Sequence, residues 1–137
     1  MLMMRRGLTE EVVEGNLRFR PFSEAAFAED LASARAVIAG GGFTLLGEAI
    51  YLRKPLLVVP VEGQFEQHMN ARYVQKLGYG QCEASLNDAA ILRSFEANLS
   101  RCEDRLAAYH QDGNRQLLEA LDVRLAETGV SSVPRVA

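Results

Sequence analysis

The 137-residue chain is long enough for one domain with an apolar core, since 48% of its residues are hydrophobic. Its 15 basic and 18 acidic residues give a net charge of −3, which argues against a nucleic-acid surface. No apolar run reaches the roughly 18 residues of a membrane span, and the opening MLMMRR lacks the order of regions of a signal peptide. We therefore expect a cytoplasmic protein in which Cys82 and Cys102, which form no CxxC pair, are free thiols.

The first part of the chain predicts one strand and one helix. Residues 1–15 show no clean period, and we interpret them as a lead-in, a remnant of an upstream part of the domain. Residues 16–20, NLRFR, alternate as a half-buried strand does, and Pro21 ends this strand. Ser23 is a candidate N-cap for the helix that follows.

The middle of the chain alternates short apolar runs with helical segments. A glycine turn, Gly40 to Gly42, separates the first of these runs from the next helix. The apolar run after Lys54 is bounded by prolines and is typical of a strand buried on both faces of a parallel sheet. The predicted elements are a helix over 24–34, a strand over 35–39, a helix over 44–52, a strand over 55–60, a helix over 64–77 that ends at Gly78, and a strand over 79–82.

From about Asn87 onward the pattern predicts two helices, broken near residues 111–114, and a loose tail over 129–137. Residues 16–128 would form one domain of the α/β class, a Rossmann-like parallel sheet with helices on both faces. Three or four strands are fewer than such a domain usually has. We therefore expect that the sheet lacks its first strand or strands.

The glycine turn is the first candidate binding site. Glycines let a backbone approach a ligand closely, and the following helix directs free N–H groups and its positive dipole end to the same place. Phosphate groups bind well at such a position. A plain strand-to-helix turn without a ligand would also explain three glycines, which match neither a Walker A loop nor G-x-G-x-x-G.

Glu48 lies four residues after Thr44, so both side chains share one helix face. A carboxylate at this position can accept two hydrogen bonds from vicinal ribose hydroxyls. An acidic residue in the first turns of a helix is also favoured by the dipole alone. The residue by itself leaves both interpretations open.

The third candidate site opens the helix after Pro60, where Glu66, Gln67 and Asn70 lie within about one turn. Amides and a carboxylate supply the matched donors and acceptors that sugar hydroxyls require. His68 is a candidate acid or base that an ordinary surface histidine would equally explain, and we interpret His110 as structural. Neither histidine has a companion at a metal-ligand spacing, so we expect no metal site.

Together these segments resemble the donor-site signature of GT-B glycosyltransferases, and of glycosyltransferase family 28 in particular. That group includes the bacterial N-acetylglucosaminyltransferase that forms lipid II and its uncharacterised archaeal and bacterial relatives. The resemblance covers roughly residues 16–80. It is carried by Arg20 to Glu24, Phe27 and Leu31, Gly40 to Ala49, Lys54-Pro55, Pro60, Glu66-Gln67, Asn70-Ala71 and Gly78-x-Gly80.

The resemblance implies a role for each candidate residue. Glu48 would bind the ribose hydroxyls of a UDP-sugar, and the loop of Phe22 and Ser23 would read the uracil edge. The diphosphate would lie in a cradle of Gly41, Gly42, Phe43 and Thr44. The sugar hydroxyls would contact Glu66, Gln67 and Asn70.

The chain departs from the family pattern in three ways. Many relatives have histidine or arginine where Gly40 stands, and serine or threonine where Leu45 stands. The resemblance also implies an N-terminal domain that holds the acceptor site and the usual catalytic base. No residue of this chain matches that domain, so the catalytic residue is unknown and the chain alone is expected to be inactive.

The function that the resemblance implies is inverting transfer of a hexosamine-type sugar, N-acetylglucosamine or a relative, from UDP to a lipid-linked or glycan acceptor, without a cofactor or metal. Its partners would be the acceptor domain or a separate acceptor subunit, a second copy of the chain, and a membrane surface reached through the acceptor half. A non-catalytic binding module and, ranked lower, a UDP-sugar epimerase are the alternatives.

Overall fold

The computed structural model describes residues 2–4, 7–21, 23–110 and 113–128. The strands are β1 (Leu2–Met4), β2 (Val12–Glu14), β3 (Leu17–Arg20), β4 (Val37–Ala39), β5 (Leu56–Val58) and β6 (Gly80–Cys82). The helices are α1 (Glu24–Ser33), α2 (Phe43–Tyr51), α3 (Phe65–Leu77), α4 (Ala89–Ala97), α5 (Leu99–Ala107) and α6 (Gly113–Glu127).

The larger sheet is parallel and has the order β4-β5-β6. Helix α2 connects the first pair of strands and α3 the second, which is the connection that parallel neighbours require. Two hydrogen bonds continue the ladders past the strand ends, from Val59 N to Ala39 O at 2.8 Å and from Glu83 N to Val58 O at 3.0 Å. The carboxyl ends of all three strands therefore meet at one edge of this sheet.

Helices cover both faces of the larger sheet, as the sequence predicted. Leu56 and Val58 are fully buried against α1, α2 and α3, whereas Leu57 points to the other face, against α4 and α5. A fully buried leucine contributes about 1.5–3 kcal/mol relative to an exposed one, so β5 anchors both layers. The helical residues buried in these two clusters are Leu31, Leu46, Ala49, Ala71 and Val74 on one face, and Phe95 and Leu99 on the other.

Residues 2–4 and 12–14, in the lead-in for which the sequence predicted no strand, form the strands β1 and β2. β1 and β2 flank β3 in a second, smaller sheet, with β1 parallel and β2 antiparallel to it. β2 and β3 form a hairpin through the two residues Gly15 and Asn16, and Gly15 has a φ of 60°, as such tight turns require. The predicted strand at residues 16–20 is confirmed, but it lies outside the parallel sheet.

Arg20 connects the smaller sheet to the first helix of the α/β part. Its Nε donates to Glu11 Oε2 at 2.8 Å, and its Nη1 donates to Asp30 Oδ1 of α1 at 2.7 Å. The hydrogen bond from Arg20 lowers the pKa of the Glu11 carboxyl below its ordinary value. The Arg20 guanidinium thus joins β3 to α1 and to Glu11, the residue just before β2.

The described residues after Asn87 form three helices rather than the two predicted. Asn98 ends α4 and occupies the N-cap position of α5, and its Nδ2 donates back to Ser94 O at 2.9 Å rather than capping α5. This break places Phe95 and Leu99 on one side, where both are buried against Leu57. A second break precedes α6, near the predicted position, and residues 111–112 and 129–137 lie outside the described part of the chain.

The end of α2 has an unusual backbone. Arg53 has a φ of 56°, in the left-handed region that favours glycine. The next side chain, Lys54, donates from Nζ to Ala32 O in the last turn of α1 at 2.7 Å. A cation is favourable there because the carboxyl end of a helix carries partial negative charge. The Lys-Pro pair seen in the sequence therefore joins α1 to the start of β5.

Candidate functional site

The glycine turn lies at the carboxyl edge of the larger sheet, between β4 and α2. Gly42 is the N-cap of α2, and none of the described side chains caps this helix end. Leu46 is the first helical residue to donate, to Gly42 O at 3.2 Å. The amides of the first turn therefore have no partner within the helix and can donate to an anion.

Two of the three glycines, Gly41 and Gly42, have different surroundings. A Cβ on Gly41 would lie 2.6 Å from the Cα of Gln67 and would overlap the Gln67 carbonyl oxygen, so α3 packs directly on this residue. A Cβ on Gly42 would meet no heavy atom of the described chain within 4 Å. Gly41 is thus required for packing, whereas Gly42 faces open space. Close packing therefore explains why residue 41 is glycine, whereas it does not explain Gly42.

Two side chains of α3 hold the glycine turn. Gln67 Oε1 accepts hydrogen bonds from Gly41 N and Val61 N, each at 3.0 Å. Asn70 Nδ2 donates to Gly41 O at 2.9 Å. The loops that follow β4 and β5 are therefore joined through one carboxamide, and both backbone polar groups of Gly41 are used inside the chain.

Glu48 lies on the exposed side of α2 and lines an open groove of about 640 Å³ between α1 and α2. Glu24, the first residue of α1, lines the same groove. Ser23 caps α1, with its Oγ accepting from Ala26 N at 3.4 Å. The remaining lining residues are Phe27, Ala28, Leu31, Gly47, Tyr51 and Leu52.

The structure thus brings most of the predicted residues to one edge of the sheet. Phe43 and Thr44 are exposed at the start of α2, and Glu66 is exposed in the first turn of α3. His68 is also exposed on α3, and His110 follows the end of α5. Phe22 lies outside the described residues. The predicted roles of these residues in ligand binding stay predictions.

Among the described residues, no group of three His, Cys, Asp or Glu side chains could hold a metal ion. Cys82 and Cys102 are free, as expected, and burial raises the pKa of both thiols. No helix in the described ranges is long and apolar enough to cross a membrane. What the edge does offer is backbone amides, carboxylates and amide side chains.

Sequence reasoning missed the contacts that organise this edge. Val61 received no role, although its amide shares the acceptor of Gly41. Phe27 and Leu31, which form the apolar floor of the groove, were named in the sequence only as part of the family resemblance. The spacing of Gln67 and Asn70 on one helix face was visible, but their target lies 26 to 29 residues away in the chain.

Comparisons with known proteins define the class. Over 85% of its length the chain resembles the glycosyltransferase of kitacinnamycin, with a TM-score of 0.61 and 21% identity, and covers 30% of that protein. Over 88% it resembles the spinosyn forosaminyltransferase SpnP, with a TM-score of 0.54 and 20% identity, and covers 34% of that protein. Both are GT-B glycosyltransferases, so the chain has the fold of part of a GT-B enzyme.

Residues 1–100 match the sequence family described as Glycosyl transferase family 1. The chain is also 39% identical over 69 residues to an uncharacterized glycosyltransferase of Methanosarcina acetivorans, a match that spans 50% of this chain and 18% of that protein. The chain belongs to Glycosyl transferase family 1. The predicted glycosyltransferase resemblance is confirmed at this level, whereas its narrower form, family 28, is not.

Proposed function

We propose that this chain binds the nucleotide-sugar donor of an inverting glycosyltransferase and that the donor is UDP-N-acetylglucosamine or a related UDP-hexosamine. The observation that carries the proposal is the carboxyl edge of the parallel sheet. There the amino end of α2 meets the polar first turn of α3, and Glu48, further along α2, lines the groove beside α1. Ligands of open α/β sheets bind at such edges.

The diphosphate is assigned to the start of α2. The backbone amides of Gly42, Phe43 and Thr44 and the hydroxyl of Thr44 would donate to its oxygens, with Gly41 shaping the turn behind them. Because the nucleotide leaves as an anion, these donors and the helix dipole would stabilise the charge that develops in the transition state. This chemistry requires no metal ion or cofactor.

The nucleoside is assigned to the groove between α1 and α2. Glu48 would accept hydrogen bonds from the two ribose hydroxyls, and the loop of Phe22 and Ser23 would contact the edge of the uracil. The groove supports this assignment because Glu48 and the first residue of α1 line it together, over apolar side chains. Its volume of about 640 Å³ lies within the range of small-ligand sites.

The sugar is assigned to the start of α3. Glu66, which is exposed, would accept hydrogen bonds from sugar hydroxyls, and Gln67 and Asn70 would complete the polar surface. Glu66→Ala is then expected to reduce discrimination among UDP-sugars while leaving UDP affinity nearly intact, because unpaired polar groups reject the wrong sugar.

Transfer would require parts that this chain is not proposed to supply. An acceptor domain or a separate acceptor subunit would bring the catalytic base and a lipid-linked or glycan acceptor, at the cytoplasmic face of a membrane. A radiolabelled UDP-sugar assay tests this. We expect no transfer by the chain alone and transfer once the acceptor half is supplied, whereas a binding module would stay inactive in both cases.

Calorimetric titration of UDP into the wild-type chain and into Glu48→Ala tests the binding proposal. Loss of hydrogen bonds to a charged group costs about 1.5–3 kcal/mol, so the dissociation constant should rise roughly 10- to 150-fold. Glu96→Ala, on the exposed side of α4, is the matched control and should bind UDP as the wild type does.

A second arm uses smaller ligands. The Glu48→Ala defect should persist with uridine and vanish with uracil, because only uridine carries the ribose hydroxyls. Equal UDP affinities of the wild type and Glu48→Ala would remove Glu48 from the site. No UDP binding by the folded wild-type chain would overturn the proposed function as a whole.

A further inference from the structure

The glycine turn is fixed by contacts that involve both backbone polar groups of one residue. The N–H of Gly41 donates to Gln67 Oε1 at 3.0 Å, and its carbonyl accepts from Asn70 Nδ2 at 2.9 Å. Gln67 and Asn70 are three residues apart and lie on one face of α3. The peptide groups on either side of Gly41 are therefore held to the same helix surface.

The carboxamide of Gln67 has a defined orientation. Its oxygen accepts from both Gly41 N and Val61 N, and its Nε2 donates to Gln64 Oε1. Two donors face one oxygen, and only the oxygen end of the amide can accept from them. A flipped amide would also lose the hydrogen bond to Gln64. Gln67 thus sets the distance between the loops that follow β4 and β5.

The close packing of the turn adds to these hydrogen bonds. Gly41 is buried, and any side chain on it would overlap the backbone of Gln67. The next residue, Gly42, begins the open side of the turn and is the N-cap of α2. The turn therefore has a closed side against α3 and an open side that carries the unpartnered amides of the helix start.

We propose that Gln67 and Asn70 are positioning residues that hold the amides of Gly42, Phe43 and Thr44 in register for a diphosphate. This inference rests on the proposed function. It assigns the N–H of Gly41 to Gln67 rather than to the nucleotide. It also predicts that removing either amide weakens binding of the nucleotide itself, with or without a sugar attached.

The register of the turn can be measured without any ligand. Backbone amide hydrogen exchange by NMR, on the wild-type chain and on Gln67→Met, reports the bonds directly. Methionine keeps the length of the side chain but offers no comparable acceptor. We expect the amides of Gly41 and Val61 to exchange roughly tenfold faster in Gln67→Met. Gln67→Glu, which keeps an acceptor oxygen, should restore their protection.

UDP and UDP-N-acetylglucosamine titrations give the second readout. In Gln67→Met and Asn70→Leu, the affinity for UDP should fall by a factor of roughly 5 to 20, since the cradle is disturbed, and the affinity for UDP-N-acetylglucosamine should fall by at least the same factor. Gln75→Met, two turns further along the exposed part of α3, is the matched control and should match the wild type.

The outcomes separate the two proposals. Unchanged exchange at Gly41 and Val61 in Gln67→Met would overturn the positioning role, even if the wild type binds UDP well. Loss of UDP-sugar affinity with intact UDP affinity would overturn it as well and would make these amides sugar contacts only. If the wild type binds no UDP, the proposed function fails, and the cradle role that depends on it fails with it.

Discussion

The side-chain oxygen of Gln67 lies 3.0 Å from the backbone nitrogen of Gly41 and 26 residues from it in the chain. The same oxygen accepts from Val61 N, so two loops at the carboxyl edge of the sheet share one acceptor. A buried backbone N–H without a partner costs about 1–3 kcal/mol, and this carboxamide removes that cost for Gly41. The glycine turn is consequently a packed part of the domain as well as a candidate ligand cradle.

The two neighbouring glycines should respond very differently to a methyl group. Gly41→Ala forces Cβ into the backbone of Gln67, and overpacking of this kind costs typically about 1–3 kcal/mol. Gly42→Ala enters open space at a φ of −64° and should change the free energy of unfolding by less than about 0.5 kcal/mol. Urea unfolding followed by circular dichroism measures both, and equal stability of the two variants would contradict the packing described here.

Stability should depend on Glu11 at neutral pH and lose that dependence in acid. The folded state lowers the pKa of Glu11 below its ordinary value of 4.5, chiefly through the hydrogen bond from Arg20. The charged carboxylate therefore stabilises the fold at pH values above that ordinary pKa. This contribution is lost as the pH falls through the lower pKa of the folded state.

The measurement compares urea unfolding of the wild type with Glu11→Gln between about pH 7 and about pH 3. The wild type should be the more stable at the upper end, and the difference should shrink below pH 4.5, the ordinary pKa. Glu10→Gln, an exposed neighbour, is the control. A stability difference that does not change with pH would argue against the ion pair.

Arg53→Gly should stabilise the chain. A non-glycine residue in the left-handed region costs about 1–2 kcal/mol, and the extra freedom of glycine in the unfolded chain costs about 0.5–1 kcal/mol, which leaves a gain of about 0.5–1 kcal/mol. Thermal unfolding by calorimetry measures the gain. Arg72→Gly, inside α3, is the contrasting control and should destabilise the chain. A loss of stability in Arg53→Gly would show that the Arg53 side chain matters more than its backbone.

The chain should associate through the edge of its larger sheet. Among the described strands, β4 pairs only with β5, so one side of Val37 to Ala39 presents unpaired backbone groups. Such edges pair readily with another chain, and a homodimer is the simplest way to cover one. Light scattering at several concentrations should give a mass above 15.1 kDa that falls on dilution. A constant monomer mass would contradict this expectation.

The parts of the fold that could be predicted are those where local chemistry and burial agree. Residues 55–60 were predicted to contain a strand buried on both faces, and Leu56 to Val58 form that strand. The helix predicted over 64–77 is α3, which ends at Gly78. Gly78 has a φ of 79°, a left-handed conformation that glycine adopts easily because it has no Cβ. In the sequence, Pro55 and Pro60 mark the ends of the strand, and Gly78 marks the end of the helix.

The smaller sheet could not be predicted from the hydrophobic period. In β2, Val13 is exposed and Val12 only half-buried, so alternation is weak over three residues. The signal that was available is the pair Gly15 and Asn16 between two short apolar runs, which is typical of a two-residue hairpin. The parallel pairing of β1 with β3 depends on contacts 16 residues apart and has no local signature.

The candidate site was predicted by residue type and place but not by partner. Glycines after one strand and amides after the next were expected at the same sheet edge, and the structure brings them there. Which polar groups bond to each other depends on how closely α3 packs on the turn, and a single sequence does not contain that distance. Gln67 therefore looked like a ligand contact alone.

The connection between α3 and β6 is only Gly78 and Tyr79, and Gly80 fits under the Leu56 carbonyl only because it has no Cβ. A link this short cannot take up an axial displacement, so α3 cannot slide along the sheet without pulling β6 out of its pairing with β5. The carboxyl end of α3 is therefore held in place by the sheet, and the amino end of the same helix carries Gln67 and Asn70 to the glycine turn. A displacement of the carboxyl end of α3 would therefore displace Gln67 and Asn70 as well.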